Sequence, residues 1–267
     1  MRYTIEDLLR VMQRLRDPQA GCPWDLRQDF QSIVPSTLEE CYELAQAIEH
    51  EDYGHVAEEL GDVLFQVIFY AQLGSEQNLF SFASVVDTLV EKLVRRHPHV
   101  FADGQIEGVV DAGTTVELVN ESWENIKQAE RDGKSQRGVM ADVPVALPAL
   151  PRAQKLQKRA ARYNFDWRSS DAVLGKLQEE IEELRQAMHA DEDAAIAEEM
   201  GDVLFSCVNL SRHLGLDAET SLRHASDKFE RRFRHMEAAA EQAGAEFSSL
   251  TEPEMDALWE AAKLSLR

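Results

Sequence analysis

The sequence EEMGDVLF spans residues 198–205, and the nearly identical EELGDVLF spans residues 58–65. The two stretches lie 140 positions apart and differ at one residue, which is Leu60 in the first and Met200 in the second. Each places two glutamates and an aspartate at the start of an apolar segment. A motif of this kind that occurs twice in one chain predicts an internal duplication.

Other residues keep the same spacing between the two halves. The motif EExxE at residues 39–43 recurs 140 positions later, at residues 179–183. With an offset of 136, a basic cluster and a tryptophan also match, namely Lys92, Arg95, Arg96 and Trp123 with Lys228, Arg231, Arg232 and Trp259. We therefore predict a tandem duplication with an N-terminal copy at 1–130, a linker at 131–151 and a C-terminal copy at 152–267.

Both copies show the periodicity of helices. Apolar residues recur at intervals of three and four, as at Leu177, Ile181 and Leu184, and strand-type alternation is scarce. The predicted fold class is all-α: each copy is a roughly four-helix bundle-type module with a further helix for the Trp, and the chain is expected to intertwine as a homodimer. Ser36 and Glu39 have the spacing of a capping box, which predicts a helix that starts there.

The composition excludes several classes of protein. The 28 Lys and Arg against 49 Asp and Glu give a formal net charge of -21, which argues against a general binder of nucleic acid or membrane surfaces. The longest apolar stretch, residues 63–73, is too short to span a membrane and contains two glutamines. Three cysteines without paired metal-ligand spacing favour reduced thiols and a cytoplasmic location.

The acidic residues have the spacing of a metal site. Glu180 and Glu183 border the apolar face of one predicted helix, and Glu199 and Asp202 lie one turn apart at the start of the next. Carboxylates beside a buried segment are unfavourable unless they are paired or bind a metal ion. Four converging carboxylates would suit a hard cation, most simply Mg²⁺. The alternative is that acids in a first helical turn only favour the helix dipole.

The basic cluster offers a site for phosphate. Lys228, Arg231 and Arg232 follow the i, i+3 and i+4 spacing of one helix face, where they would bind phosphate oxygens. Salt bridges to nearby glutamates are the alternative. Trp259 would either stack on a base or belong to the core. In the first copy, Pro98 closely follows the equivalent basic residues and is expected to end the helix early.

Two aromatic turns precede the acidic motifs. The sequence GCPWD surrounds Trp24 and the sequence NFDW surrounds Trp167. We interpret both turns as loop anchors, and contact with a base is the alternative that the sequence leaves open.

These motifs together resemble a known family. EExxE followed by ExxD is similar to the signature of the all-α nucleotide pyrophosphohydrolases, and the tandem layout with GCPWD, RRHPHVF and KFERRF resembles MazG over essentially the whole chain. The resemblance implies hydrolysis of nucleoside triphosphates, ribo- and deoxyribo- and of broad base range, to the monophosphate and pyrophosphate. It also implies Mg²⁺ as cofactor and a homodimer.

The resemblance assigns roles to individual residues. It implies that four carboxylates bind Mg²⁺ and act in catalysis: Glu180, Glu183, Glu199 and Asp202. A possible second site comprises their counterparts in the first copy: Glu40, Glu43, Glu59 and Asp62. The residues implied in substrate binding are Lys176, Glu179, Lys228, Arg231, Arg232 and Trp259.

The two copies are not expected to be equally active. The first copy has Ser36 where the second has Lys176, and its basic helix meets Pro98. We therefore expect the C-terminal copy to be the main catalyst and the N-terminal copy to be degenerate or regulatory. A non-catalytic dimeric nucleotide-binding or scaffold protein is the alternative. A di-iron bundle is disfavoured because no candidate Glu has a His three positions later.

Overall fold

The computed structural model describes residues 2–107, 138–141 and 143–266, together with residues 115, 119 and 126. The regular secondary structure of the described residues is entirely helical, which confirms the all-α fold class. Contacts divide the chain into two compact units, Met1–Ala129 and Glu130–Arg267. Trp123 and residues 131–137 and 142 of the predicted linker lie outside the described residues. None of the described helices combines the length and the apolar character that a membrane crossing requires.

The first unit is built around one long helix. Its four described helices are α1 (Ile5–Leu15), α2 (Val34–Glu49), α3 (Tyr53–Glu76) and α4 (Phe82–Arg96). Helix α3 contacts each of the other three, because it is apolar on most sides. Its C-terminal half supplies most of a core cluster that comprises Met12, Ile33, Ile68, Phe69 and Leu73.

The start of α2 differs from the prediction. The helix begins at Val34, and Ile33 precedes it without a side-chain cap, so the capping box predicted from Ser36 and Glu39 is wrong. Pro35 explains the earlier start, because proline fits the first helical turn, where its missing N–H group would have no partner. Ser36 therefore lies inside the helix.

A buried arginine joins α1 to α3. Arg16 donates two hydrogen bonds to the carboxylate of Glu76, at 2.9 and 2.8 Å, and one to the carbonyl of Gln28 at 3.2 Å. It also donates to the carbonyl of Asp25, in the GCPWD turn. The hydrogen bonds from Arg16 hold the pKa of Glu76 below its ordinary value. This turn is thus fastened through Arg16, while Trp24 itself is exposed.

The second unit repeats this arrangement of helices around a central one. It comprises α5 (Ala149–Ala161), α6 (Ser170–Ala190), α7 (Asp193–His213), α8 (Ala218–Gln242) and α9 (Glu252–Ser265). Helix α7 contacts α5, α6 and α8, and α9 packs on α8. The predicted sequence of helices bearing EExxE, ExxD, the basic cluster and the Trp is therefore confirmed in this unit.

The two helical hairpins turn in the same way. Glu51 between α2 and α3 and Asp191 between α6 and α7 adopt left-handed backbone, with φ of 55° and 56°. Residues other than glycine seldom adopt this conformation, and these two lie 140 positions apart. A left-handed residue at the same position of both turns joins the two helices of each hairpin, so that EExxE lies opposite ExxD in both units.

The helices that carry the basic clusters differ in length. Helix α4 ends at Arg96, immediately before His97 and Pro98, as predicted. Helix α8 continues for ten residues beyond Arg232, to Gln242. The second unit therefore holds its basic residues within a continuous helix, and the first unit holds them at a helix end.

Candidate active site

Helices α6 and α7 bring carboxylates of the second unit together. Glu180 on α6 and Glu199 and Asp202 on α7 each offer an oxygen, and these three oxygens lie within 4.8 Å of one another. Glu180 is buried, with 7% of its surface exposed. Because Glu199 and Asp202 are three residues apart on one helix, both side chains point towards the facing helix.

Glu183 lies beside this group. A hydrogen bond between its carboxyl group and that of Glu180 raises the pKa of Glu183, burial raises it further, and the charges of Glu180 and Glu199 add to the effect. The charge of Lys176 acts in the opposite direction, and the net shift of the Glu183 pKa is upward. All four acids that the sequence singles out in the second copy therefore face one another across this hairpin.

Lys176 supplies positive charge to the cluster. Its Nζ lies 2.7 Å from Glu179 Oε1, 3.1 Å from Glu180 Oε1 and 3.9 Å from Glu183 Oε2. The hydrogen bonds to Glu179 and Glu180 raise the pKa of Lys176 above its ordinary value. Lys176 is therefore a permanent cation at the edge of the carboxylate cluster.

The first unit contains a second carboxylate cluster. Glu40, Glu43 and Glu59 offer oxygens within 4.8 Å of one another. Burial raises the pKa of Glu40, and the charge of Asp62 is the next largest cause, followed by those of Glu43 and Glu59. The fourth predicted acid, Asp62, therefore acts electrostatically on this cluster from close by.

The first cluster has a histidine beside it where the second has a lysine. Ser36 replaces Lys176, and His55 Nε2 instead lies 2.6 Å from Glu59 Oε1. At the offset of 140, the counterpart of His55 is Ala195. Our sequence interpretation missed His55, although its i, i+4 spacing to Glu59 on α3 is a recognisable signal.

The donor sets fit a hard cation. The clustered ligand atoms are all carboxylate oxygens, the type that Mg²⁺ prefers. In the first unit Glu59 is 6% exposed, and its buried Oε2 has no hydrogen-bond partner among the described atoms. A buried carboxylate oxygen without a partner is unfavourable, and a bound cation would satisfy it.

The basic cluster has capacity for an anion. Within the described part of the chain, Lys228 and Arg231 are exposed and form no ion pair. Arg232 has a buried Nε without a hydrogen-bond partner among the described atoms. The alternative that these basic side chains only form salt bridges with nearby glutamates therefore does not describe this cluster.

Trp259 packs on the basic helix. Its ring centroid lies 5.5 Å from that of Phe229, and the guanidinium of Arg232 lies 5.7 Å from the Trp259 centroid. This cation–π contact holds the Arg232 side chain against α9. The half-buried Trp259 thus takes part in the packing between α8 and α9. It also positions Arg232, one of the basic residues predicted to bind the nucleotide.

Comparison with known proteins identifies the family. A family model described as the MazG nucleotide pyrophosphohydrolase domain matches residues 28–101 and 168–237, which confirms the tandem duplication. A protein of Escherichia coli strain K12 named nucleoside triphosphate pyrophosphohydrolase is 47% identical over 97% of each chain. A Thermotoga maritima protein named nucleoside triphosphate pyrophosphohydrolase/pyrophosphatase MazG is 41% identical over 97% of this chain and 95% of its own. The chain therefore belongs to the MazG nucleotide pyrophosphohydrolase family.

Proposed function

We propose that this chain hydrolyses nucleoside triphosphates, both ribo- and deoxyribonucleotides and of broad base range, to the nucleoside monophosphate and pyrophosphate. The observation that carries the proposal is the convergence of Glu180, Glu199 and Asp202 next to Lys176. Carboxylates that bind a cation beside a fixed positive side chain suit a polyphosphate substrate. The names of the relatives from E. coli and T. maritima describe the same reaction class.

Each group of residues has a proposed task. When bound, Mg²⁺ supplies a Lewis acid that polarises phosphate oxygens. Glu180, Glu183, Glu199 and Asp202 would hold it, and one of these carboxylates accepts a proton from the attacking water. Water forms a new phosphorus–oxygen bond as the α–β phosphoanhydride bond breaks.

Lysine and arginine side chains neutralise the charge of the polyphosphate. Lys176 binds phosphate oxygens at the cluster, and Lys228, Arg231 and Arg232 stabilise the leaving pyrophosphate. The guanidinium of Arg232 offers several donors in a fixed planar geometry, which suits phosphate oxygens. Trp259 keeps Arg232 in place and contacts the nucleotide.

We propose the C-terminal copy as the main catalyst. In this copy Lys176 contacts the carboxylate cluster, and the basic cluster lies within the continuous helix α8. In the first copy, α4 ends at Arg96 and a histidine partners the acids. The first site, with Glu40, Glu43, Glu59 and Asp62, keeps the ligands for a cation and has a regulatory role or another substrate preference.

Removal of metal tests the cofactor. Treatment with EDTA is expected to abolish pyrophosphate release from ATP, and added MgCl₂ is expected to restore it. Because Mg²⁺ relieves the repulsion between clustered carboxylates, it should also raise the melting temperature by roughly 3 °C at saturation. NaCl at equal ionic strength is the control for both measurements. Turnover that persists without metal would refute the cofactor, and stabilisation by nucleotide without any turnover would favour the non-catalytic alternative.

We propose a homodimer because both hairpins expose apolar rows. In the first unit the row includes Leu60, Leu64 and Val67 on α3, and in the second it includes Met200 and Leu204 on α7. Exposed apolar patches of this kind usually mark an interface.

We also propose a cytoplasmic location. The three cysteines carry free thiols, which agrees with a reducing compartment.

Light scattering tests the dimer. The unmodified chain is expected to have the mass of two chains, and Leu204→Glu should shift it towards one chain by placing a charge in the apolar contact. Ala194→Glu adds the same charge at an exposed position on the same helix and should leave the mass unchanged. A single-chain mass for the unmodified protein would contradict the proposal.

A further inference from the structure

Glu59 in the first unit is a buried acid with one oxygen that lacks a partner. The residue is 6% exposed, and one of its oxygens lies within 4.8 Å of oxygens of Glu40 and Glu43. Its Oε1 contacts His55, whereas its buried Oε2 has no hydrogen-bond partner among the described atoms. A buried carboxylate oxygen in this state is unfavourable unless a hydrogen-bond donor or a cation reaches it. Glu59 Oε2 is therefore the atom of this cluster that most requires a ligand.

His55 holds the other oxygen of Glu59. The two residues lie one turn apart on α3, and His55 Nε2 is 2.6 Å from Glu59 Oε1. The side chain of Asp52 caps this helix by accepting a hydrogen bond of 3.2 Å from the backbone N–H of His55, which fixes the turn that carries the imidazole. Because a ring nitrogen carries a single hydrogen, His55 Nε2 orients the carboxylate through Oε1 and leaves Oε2 for another ligand.

The imidazole lies beside the first cluster, which comprises Glu40, Glu43 and Glu59. In the described part of the first unit, the ligand atoms that lie within 4.8 Å of one another come from these three glutamates. The His55 side chain is 50% exposed, and the Glu59 side chain that it contacts is 8% exposed. His55 therefore positions one carboxylate from the solvent side and does not occupy the place of a cation between the glutamates.

The second cluster, by contrast, already contains a positive side chain. Lys176 Nζ lies 3.1 Å from Glu180 Oε1 and 3.9 Å from Glu183 Oε2. An ammonium group at these distances neutralises part of the negative charge, and it competes with a metal ion for the same oxygens. The counterpart of Lys176 in the first unit is Ser36, which carries no charge. The first cluster therefore offers its carboxylates without a lysine at this position.

The electrostatic balance of the two clusters differs accordingly. In the first unit, burial raises the pKa of Glu40, and the charges of neighbouring acids, that of Asp62 first, raise it further. In the second unit, the hydrogen bond with Glu180 raises the pKa of Glu183, whereas the charge of Lys176 lowers it. A divalent cation relieves repulsion between carboxylates by placing two positive charges among them. The first cluster gains more from such an ion, because it has no lysine to replace.

We infer that the first cluster binds a resident divalent cation in the absence of nucleotide, and that His55 is the residue that positions Glu59 for this ion. The inference deepens the proposed function, in which the first site keeps the ligands for a cation. Glu40 and Glu43 lie on α2 and Glu59 lies on α3, so the bound ion fastens the two helices of the hairpin to each other. The second cluster binds its cation more weakly until phosphate draws the Lys176 ammonium away from the carboxylates.

Titration with Mn²⁺ in the absence of nucleotide tests this site. Mn²⁺ prefers the same oxygen ligands as Mg²⁺, and its sharp EPR signal in water is largely lost on binding, so the signal counts the bound ions. For the unmodified full-length protein we expect one tightly bound Mn²⁺ per chain and a second, weakly bound Mn²⁺ whose Kd is roughly tenfold higher. Addition of Mg²⁺ is expected to displace both ions.

Two matched substitutions assign each ion to a unit. Glu59→Gln keeps the shape of the side chain but removes its negative charge, and it is expected to abolish the tightly bound Mn²⁺. Glu199→Gln makes the same change 140 positions later, and it is expected to abolish only the weakly bound Mn²⁺. Circular dichroism checks that the helices are retained in both variants.

Two substitutions of His55 separate positioning from packing. Leucine cannot donate a hydrogen bond to Glu59 Oε1, so His55→Leu is expected to raise the Kd of the tightly bound Mn²⁺ roughly tenfold, as is typical when a partner of a metal-binding carboxylate is lost. Glutamine carries an amide N–H group, so His55→Gln is expected to keep this Kd within roughly twofold of the unmodified value. Because the His55 side chain is half exposed, His55→Leu decides the question if Glu59→Gln does not fold.

Three results would overturn the inference. They are the absence of tight Mn²⁺ binding without nucleotide, a tightly bound Mn²⁺ that persists in folded Glu59→Gln, and a Kd that His55→Leu leaves unchanged or that His55→Gln raises by the same factor. Pyrophosphate release by the unmodified protein is measured in parallel. Absence of release would refute the proposed hydrolysis alone, because the Mn²⁺ titration contains no nucleotide.

Discussion

Asp202→Asn is expected to lower kcat for pyrophosphate release from ATP and Mg²⁺ by roughly a thousandfold. Asp202 shares with Glu180 and Glu199 the set of oxygens that lie within 4.8 Å of one another. The amide of asparagine has nearly the same shape as the carboxylate of aspartate, but it lacks the negative charge that binds a divalent cation. A steady-state assay of pyrophosphate measures the effect, and circular dichroism checks that the helices are retained.

Asp62→Asn is the matched control in the first unit. It makes the same change 140 positions earlier, in a cluster that lacks the lysine. Because the C-terminal copy is proposed as the main catalyst, Asp62→Asn should retain most of the activity. Full activity of Asp202→Asn would refute the assignment of the site, and similar losses in both variants would show that both copies contribute.

Lys176→Met is expected to have two effects of opposite sign. Lys176 Nζ lies 3.1 Å from Glu180 Oε1, so it competes with a cation for the carboxylates until phosphate binds. Removal of Lys176 should lower kcat/KM for ATP roughly a hundredfold, because the protein loses a positive charge that binds the polyphosphate. The same change should lower the Mg²⁺ concentration needed for half-maximal rate, because the competing ammonium is gone.

Lys155→Met tests whether total charge explains these effects. Lys155 is exposed on α5, and the substitution changes the net charge by the same amount. Neither the rate nor the Mg²⁺ requirement should change in this variant. If Lys176→Met needed more Mg²⁺ for half-maximal rate, the proposal that Lys176 competes with the cation for the carboxylates would be wrong.

The repeat made much of this architecture predictable. Helical spacing placed Glu199 and Asp202 on one face, and the shared offset of 140 paired each acid with a counterpart. The early end of α4 before Pro98 also followed from local chemistry, because proline disfavours a helical residue before it. Features that depend on neighbours in sequence could thus be inferred from sequence.

Contacts between distant segments could not be inferred. Arg16 and Glu76 are 60 residues apart, and Gln157 bonds to a carbonyl 48 residues later, so no local pattern connects them. The start of α2 was also misplaced, because Pro35 fits the first turn as well as the position before a helix. The cavity of about 520 Å³ between α5, α7 and the NFDW turn was not predicted either, since no local motif marks it.

The identity of the products tests the central claim most directly. Phosphorus NMR of ATP incubated with the unmodified protein and Mg²⁺ resolves the resonances of every phosphate group during the reaction. Cleavage between the α- and β-phosphates predicts AMP and pyrophosphate in equal amounts from the first turnover. The appearance of ADP and inorganic phosphate as the initial products would contradict the account.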